Sequence, residues 1–166
     1  MKVAILTISD KGHTGKRKDT SGPAIREIVS KMGWTVGEYA IVPDEIKAIK
    51  KALVGWSDAG INLILTTGGT GFSPRDNTPE ATLAVIGKAA PGISEAIRYY
   101  GLQKTPKAAL SRAVSGIRKQ SLIINLPGSE RAVRESLEAI IEILPHAIEV
   151  LCGQVSECGA AKKRRH

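Results

Sequence analysis

Between Thr66 and Glu80 the chain reads TTGGTGFSPRDNTPE, a run whose residue types suit the holding of phosphate. Gly68, Gly69 and Gly71 carry no Cβ, so the backbone is free to take positive φ and aim several amides at one anion. Thr66, Thr67, Thr70 and Ser73 add hydroxyls, and Arg75 and Asp76 follow at once. The apolar run before it, Ile61 to Leu65, predicts a buried strand. Thr78 followed by Pro79 predicts a helix N-cap with proline at the first helical position. The N-terminus of that helix adds partial positive charge on the same side. Neither common phosphate motif is present: GHTGK (Gly12 to Lys16) misses GxxxxGK[ST] by two residues, and there is no GxGxxG. A tight turn alone has the same glycine signature, and that reading stays open.

Carboxylates beside a phosphate cradle repel it unless a cation lies between. A bridging Mg²⁺ held by Asp44 and Asp76 would supply that cation, as in phosphoryl and nucleotidyl transfer. On local grounds Asp44 reads equally as a helix N-cap and Asp76 as a turn residue before Asn77. Arg75 reads as a phosphate clamp or a solvated loop residue. Ser111 and Arg112, in ALSR, read as site residues or an ordinary helix end.

The elements that must position these residues follow from periodicity. Val3 to Ile8 predicts a first strand, ending at Ser9 and Asp10 in a polar loop that runs through Thr20. Ser21, Gly22 and Pro23 open an amphipathic helix with Ile25, Ile28, Val29 and Met32 on one face, closed by Gly33. Trp34 to Val42 predicts a second strand, and Asp44 then caps a helix bearing Ile46, Ile49, Leu53 and Val54. Further helices are expected from Pro79 to about Lys88 and from Gly92 to Tyr100. Ala113 to Arg118 and Leu122 to Leu126 predict two short strands around Lys119-Gln120, the second isoleucine-rich and therefore central. A long helix from Ser129 carries Val133, Leu137, Ile140, Ile141 and Leu144 before Pro145. This alternation predicts a three-layer α/β/α domain with a mostly parallel sheet. In such sheets ligands bind beyond the carboxyl ends of the strands. Ser9 and Asp10, Asp44, the TTGGTG turn, and Asn125 to Ser129 (NLPGS) all fall on that rim.

Composition narrows the classes. A chain of 166 residues fits one domain, expected over 1–158, with a basic tail, 159–166, expected to be disordered. Cys152 and Cys158 make no zinc spacing, and three scattered histidines, His13, His146 and His166, disfavour a protein-held transition metal. The N-terminus shows no leader pattern and no run reaches membrane length, so the cytoplasm is the expected compartment. The net charge of +8 resides partly in Lys162, Lys163, Arg164 and Arg165. Without those four, 20 basic face 16 acidic residues. That balance suits anionic small molecules, and with few aromatics to stack on, nucleic acid is not the expected partner.

Seven blocks, LTISD (6–10), DTSGP (19–23), VPDE (42–45), TTGGTGFSPRDNTPEAT (66–82), PG (91–92), ALSRAVSGIR (109–118) and SLIINLPGS (121–129), together resemble the molybdopterin adenylyltransferases of the MogA and MoaB type, related to the amino-terminal domain of gephyrin. Molybdenum-insertion and competence-damage proteins share the TTGG turn, but GTGFSPRDNTPEAT is similar to neither. Phe72 stands where relatives often have proline, and Glu130-Arg131 where some have a second proline.

The resemblance implies transfer of AMP from ATP to the phosphate of molybdopterin, with release of pyrophosphate. It assigns catalysis and metal binding to Asp44 and Asp76, the pterin end to Ser111, and phosphate and nucleotide to the TTGGTG turn. With the rim residues, the expected substrate-binding set is Ser9, Asp10, Thr67, Gly68, Gly69, Thr70, Gly71, Arg75, Ser111, Arg112, Asn125, Pro127 and Gly128. It also implies Mg²⁺ as cofactor, a homotrimer, and hand-over of product to a molybdenum-insertion protein. A non-catalytic molybdopterin-binding or scaffold protein of the MoaB type is the alternative. Because a phosphate monoester is already largely ionised near neutral pH, its attack needs no strong general base.

Overall fold

The computed structural model describes residues 1–153; Cys158 and the basic tail lie outside the described residues. Six strands form one sheet: β1 (Lys2–Ile8), β2 (Thr35–Val42), β3 (Leu63–Thr67), β4 (Lys88–Ala89), β5 (Ser115–Arg118) and β6 (Ser121–Leu126). Their order is β2-β1-β3-β6-β5-β4. The first four in that order run parallel, whereas β5 pairs antiparallel with both β6 and β4.

Alternation along the central strands builds three layers, because successive side chains leave a strand on opposite faces. Val3, Ile5, Leu63, Leu65, Leu122, Ile124 and Leu126 enter one core, while Ala4, Leu6, Ile8, Ile64 and Ile123 enter the other. The first core is covered by α2 (Ser21–Lys31), α5 (Pro91–Leu102), α6 (Glu130–Ile140) and α7 (Leu144–Leu151), the second by α3 (Ile46–Asp58) and α4 (Thr78–Leu83). Strands apolar on both faces are what a parallel sheet sandwiched by helices requires.

Several boundaries depart from the sequence reading. The third strand lies two residues later than expected, because Thr66 and Thr67 pair with Asn125 and Leu126 of β6. Asp44 does not cap α3: Glu45 occupies the N-cap position, and the Asp44 carboxylate is engaged elsewhere. A short helix, α1 (Asp10–His13), forms in the polar loop after β1, where the Ser9 hydroxyl accepts the Gly12 amide. The helix at Pro79 ends at Leu83, because the chain must turn to bring Lys88 and Ala89 alongside β5. Its first residue is Thr78, with Asn77 at the cap. The long C-terminal helix is broken at 141–143, with Pro145 near the start of α7.

Candidate functional site

The strand order reverses between β1 and β3: β1 connects outward to β2, and β3 leads toward β6. Brink loops at such a switch point diverge and leave a crevice at the carboxyl ends. Here that crevice is a cavity of about 400 Å³ lined by Thr7, Ile8, Ser9 and Gly12, by Arg17 to Ser21, by Asp44, Thr67, Gly68, Gly69 and Asp76, and by Gly128 to Glu130.

The glycine turn is fixed from three sides. The Gly68 amide donates to the Leu126 carbonyl at 3.3 Å, and the Thr67 hydroxyl to the Pro127 carbonyl at 2.6 Å. Thr78, expected as a helix cap, instead donates its hydroxyl to the Gly68 carbonyl at 2.8 Å, and its amide meets the Gly69 carbonyl at 3.1 Å. Gly68 (φ 95°) and Gly69 (φ 63°) lie in the left-handed region. Added Cβ atoms there would strike the Ile8 carbonyl oxygen and Thr78 Oγ1 respectively. The residue type is therefore dictated by both dihedral and space. Gly71 departs from the sequence reading in its backbone, since its φ is not positive, and it lines a different cavity; a Cβ there would lie 2.8 Å from Asp76 Oδ2. Among the described residues the Gly69 and Thr70 amides donate to no protein group, which leaves them available to an anion.

Two aspartates flank this turn. Asp44 and Asp10 hold one another: the Asp10 amide donates to Asp44 Oδ2 at 2.9 Å and the Asp44 amide to Asp10 Oδ1 at 3.0 Å. A Cβ on Gly69 would lie 3.1 Å from Asp44 Oδ1, so that oxygen sits against the turn. Burial, and then the negative charges of Asp10 and Asp76, raise the Asp44 carboxyl above its ordinary value. Asp10 moves the other way: the Asp44 amide and the Arg75 guanidinium outweigh its desolvation and hold it low. Asp76 Oδ2 accepts the Ser73 amide at 3.2 Å, closing the turn that carries it.

Other expected site residues are spent on structure. The Arg75 guanidinium is bidentate on Asp10, with Nε at 3.1 Å and Nη2 at 2.9 Å. Arg112 is a clamp on the loop: Nε donates to the Gly71 carbonyl and Nη2 to the Asp76 carbonyl, each at 2.7 Å, and Nη1 pairs with Glu80. Asn125 is fully buried, donating to the hydroxyls of Thr66 and Thr82 at 2.9 Å and accepting the Val114 amide. Neither residue is among those that line the crevice.

Ser111 is not in the crevice. It lines a second cavity of about 280 Å³ with Thr70, Gly71, Pro127 and more apolar residues, among them Ile97, Ala108 and Leu110. The loop Thr67 to Gly71 thus forms a wall between two cavities, with Thr67 to Gly69 facing the first and Thr70 and Gly71 the second.

Asp19 is the group that the residue-by-residue reading passed over. Its carboxylate accepts from Thr7 Oγ1 at 2.6 Å, from Tyr39 Oη, and from the amides of Ser21 and Gly22 at 3.0 Å. Burial raises this carboxyl, but those donors outweigh it and leave it below the ordinary value. Burial and the neighbouring Asp19 push the Tyr39 phenol up to about 12. The available signal was Asp19 directly before Thr20-Ser21-Gly22-Pro23, an aspartate two residues ahead of a helix start.

A family model described as "Probable molybdopterin binding domain" matches residues 4–146. A molybdopterin adenylyltransferase of Helicobacter pylori (strain J99) is 42% identical over 161 residues, covering 93% of this chain and 92% of that protein. Gephyrin of Dictyostelium discoideum is 43% identical over 159 residues, and the match spans 90% of this chain but only 22% of gephyrin. The crystal structure of the molybdopterin biosynthesis enzyme MoaB from Thermus thermophilus superposes with a TM-score of 0.87 at 52% identity, covering 92% of this chain and 96% of that one.

Proposed function

Since the chain belongs to the molybdopterin-binding domain family of molybdenum cofactor biosynthesis, we propose that it is a molybdopterin adenylyltransferase, moving AMP from ATP to the terminal phosphate of molybdopterin. The observation that carries this reading is the glycine wall, which lets a ligand in each of two cavities present a phosphate to one loop. The polar crevice suits the nucleotide, and the more apolar cavity containing Ser111 suits a flat heterocycle.

The chain's own groups supply position and charge. Amides of Gly69 and Thr70 bind phosphate oxygens, and the N-terminus of α6, with Ser129 at its cap, faces the same crevice. Arg112 keeps the loop in register by holding the Gly71 and Asp76 carbonyls. The pterin phosphate is ionised at neutral pH, so no residue need take a proton from it; the task is to hold two polyanions in line.

Asp44 and Asp76 fit Mg²⁺. Among the described residues no cluster of three acidic, histidine or cysteine side chains gathers, yet Mg²⁺ characteristically takes one or two carboxylates and completes its shell with water and substrate phosphate. Burial first, and then the charges of Asp10 and Asp76, raise Asp44; a divalent cation would relieve the repulsive part. When bound, Mg²⁺ neutralises charge on the phosphates.

Family kinship also supports a cytoplasmic homotrimer that passes its product to a molybdenum-insertion protein. Among the described residues no helix is long and apolar enough to cross a membrane.

The test is incubation of the pure protein with molybdopterin, ATP and Mg²⁺, with pyrophosphate and adenylylated pterin quantified directly. Both products in equal amounts are expected. Molybdopterin binding without either product would replace this reading with a non-catalytic pterin-binding role.

A further inference from the structure

Among the described residues four carboxylates, Asp19, Asp44, Asp76 and Glu130, line the first cavity, and two cations do so, Arg17 and Lys18. A triphosphate entering such a site meets net negative charge, so whatever cations face it decide where its phosphates lie. Arg17 stands apart from the other arginines of the described residues. Each of those has a carboxylate, a carbonyl oxygen or an aromatic ring as partner. Among the described residues the Arg17 and Lys18 side chains have none, although both border the cavity.

The segment that carries them is held at both ends. The Arg17 amide donates to the Lys11 carbonyl at 3.1 Å. Asp19, the next residue after Lys18, is anchored by Thr7, Tyr39, Ser21 and Gly22. Two unpaired cations are therefore delivered to one edge of the cavity from a fixed base, which lowers the entropy lost when they close on an anion.

We propose that Arg17 and Lys18 form a polyphosphate clamp, holding the β- and γ-phosphates of the bound nucleoside triphosphate and then the departing pyrophosphate. This rests on the adenylyl-transfer reading of the same cavity. In that step an oxygen of the pterin phosphate bonds to the α-phosphorus, and the bond from that phosphorus to the bridging oxygen breaks. The electron pair goes to the β-phosphate oxygen, and nothing is oxidised or reduced. Negative charge grows on the pyrophosphate as the bond breaks, and the guanidinium and ammonium groups stabilise it there. The clamp selects triphosphate over monophosphate, because AMP has no phosphate that reaches it.

The probes are inorganic pyrophosphate and AMP, each titrated calorimetrically with Mg²⁺ into the parent protein, R17A, K18A, the double variant and R17K. The double variant is expected to lose at least tenfold in pyrophosphate affinity while AMP affinity stays within twofold. R17K should recover part of the loss, and the parent's pyrophosphate affinity should fall more steeply with salt than the double variant's. In turnover the double variant should raise KM for ATP more than it changes KM for molybdopterin. Unchanged pyrophosphate affinity in the double variant, an equal loss for AMP, or no pyrophosphate binding by the parent would each overturn the clamp. If the parent adenylylates molybdopterin but pyrophosphate affinity ignores both residues, the clamp falls and the transferase reading stands. If the clamp behaves as expected and no adenylylated pterin forms, the transferase reading falls and the cavity remains a polyphosphate site.

Discussion

Asp10 and Asp44 each accept the other's backbone amide, at 3.0 and 2.9 Å, across 34 residues of sequence. This reciprocal pair ties the end of β1 to the end of β2 and sets Asp44 against the glycine turn. It places two carboxylates side by side, and their environments push them apart: Asp10 is held low by the Asp44 amide and Arg75, while Asp44 is raised by burial and by its acidic neighbours.

Asp44→Asn is expected to stabilise the fold at neutral pH. A raised folded-state value means that the native chain prefers the protonated form. That contribution is fully present below the ordinary carboxylate value and is lost as pH rises through the raised one. Asparagine keeps the acceptor for the Asp10 amide without the charge. Denaturant midpoints of parent and variant should differ most near pH 7 and converge toward pH 4. A variant less stable than the parent at pH 7 would contradict the argument.

Asp76→Asn is expected to fold normally and to lose on the order of a hundredfold in turnover, if its carboxylate serves metal and phosphate alignment. Its acceptor role toward the Ser73 amide survives in the amide side chain. Turnover measured with saturating Mg²⁺, beside the denaturant midpoint, separates the two effects. Near-normal activity would remove Asp76 from the mechanism.

The glycines of the turn should not be equivalent. Gly69→Ala meets Thr78 Oγ1 and a positive φ, so a loss of roughly 1–3 kcal/mol in stability is expected, with weakened ATP binding. Gly71→Ala meets only the end of the Asp76 side chain. It should cost less stability and perturb pterin binding more than ATP binding, because Gly71 borders the second cavity. Parallel titrations of both variants with each ligand give the comparison.

Arg112→Lys is expected to be damaging despite keeping the charge. Lysine cannot reach the Gly71 carbonyl, the Asp76 carbonyl and Glu80 together, as the guanidinium does. Each carbonyl left without its charged donor costs about 1–3 kcal/mol at most, and the loop carrying Asp76 should loosen. A fall in thermal midpoint with raised KM for both substrates is the expected pattern; unaltered KM values would show that Arg112 does not position the loop.

Ser111→Ala should weaken molybdopterin binding and leave ATP binding within a few-fold, since the serine lines the cavity across the wall from the crevice. Binding of each ligand measured separately decides it. An equal loss for both would mean that the two cavities are not separate subsites.

The sequence by itself determined the layered α/β architecture and the rim. Runs such as Val3 to Ile8 and Leu122 to Leu126 are apolar on both faces, and only a helix-covered parallel sheet accepts such strands. The glycine turn was legible because Gly68 and Gly69 occupy a dihedral region and a space that other residues do not tolerate. Membership of the seven blocks in one pattern carried the family. What the tertiary structure decided was how each polar group is spent. Asp44, Arg112 and Asn125 lie far in sequence from the groups they bond, so no local pattern distinguishes an aspartate that caps a helix from one that holds Asp10. Nor does one distinguish an arginine that grips phosphate from one that grips the Gly71 carbonyl. Asp19 and Ser111 make the same point from opposite sides. Asp19 joins the crevice wall because Thr7 and Tyr39, on neighbouring strands, converge on its carboxylate. Ser111 leaves the crevice because the glycine loop stands between them. Those assignments depend on long-range packing, which fixes distances that spacing along a chain does not encode.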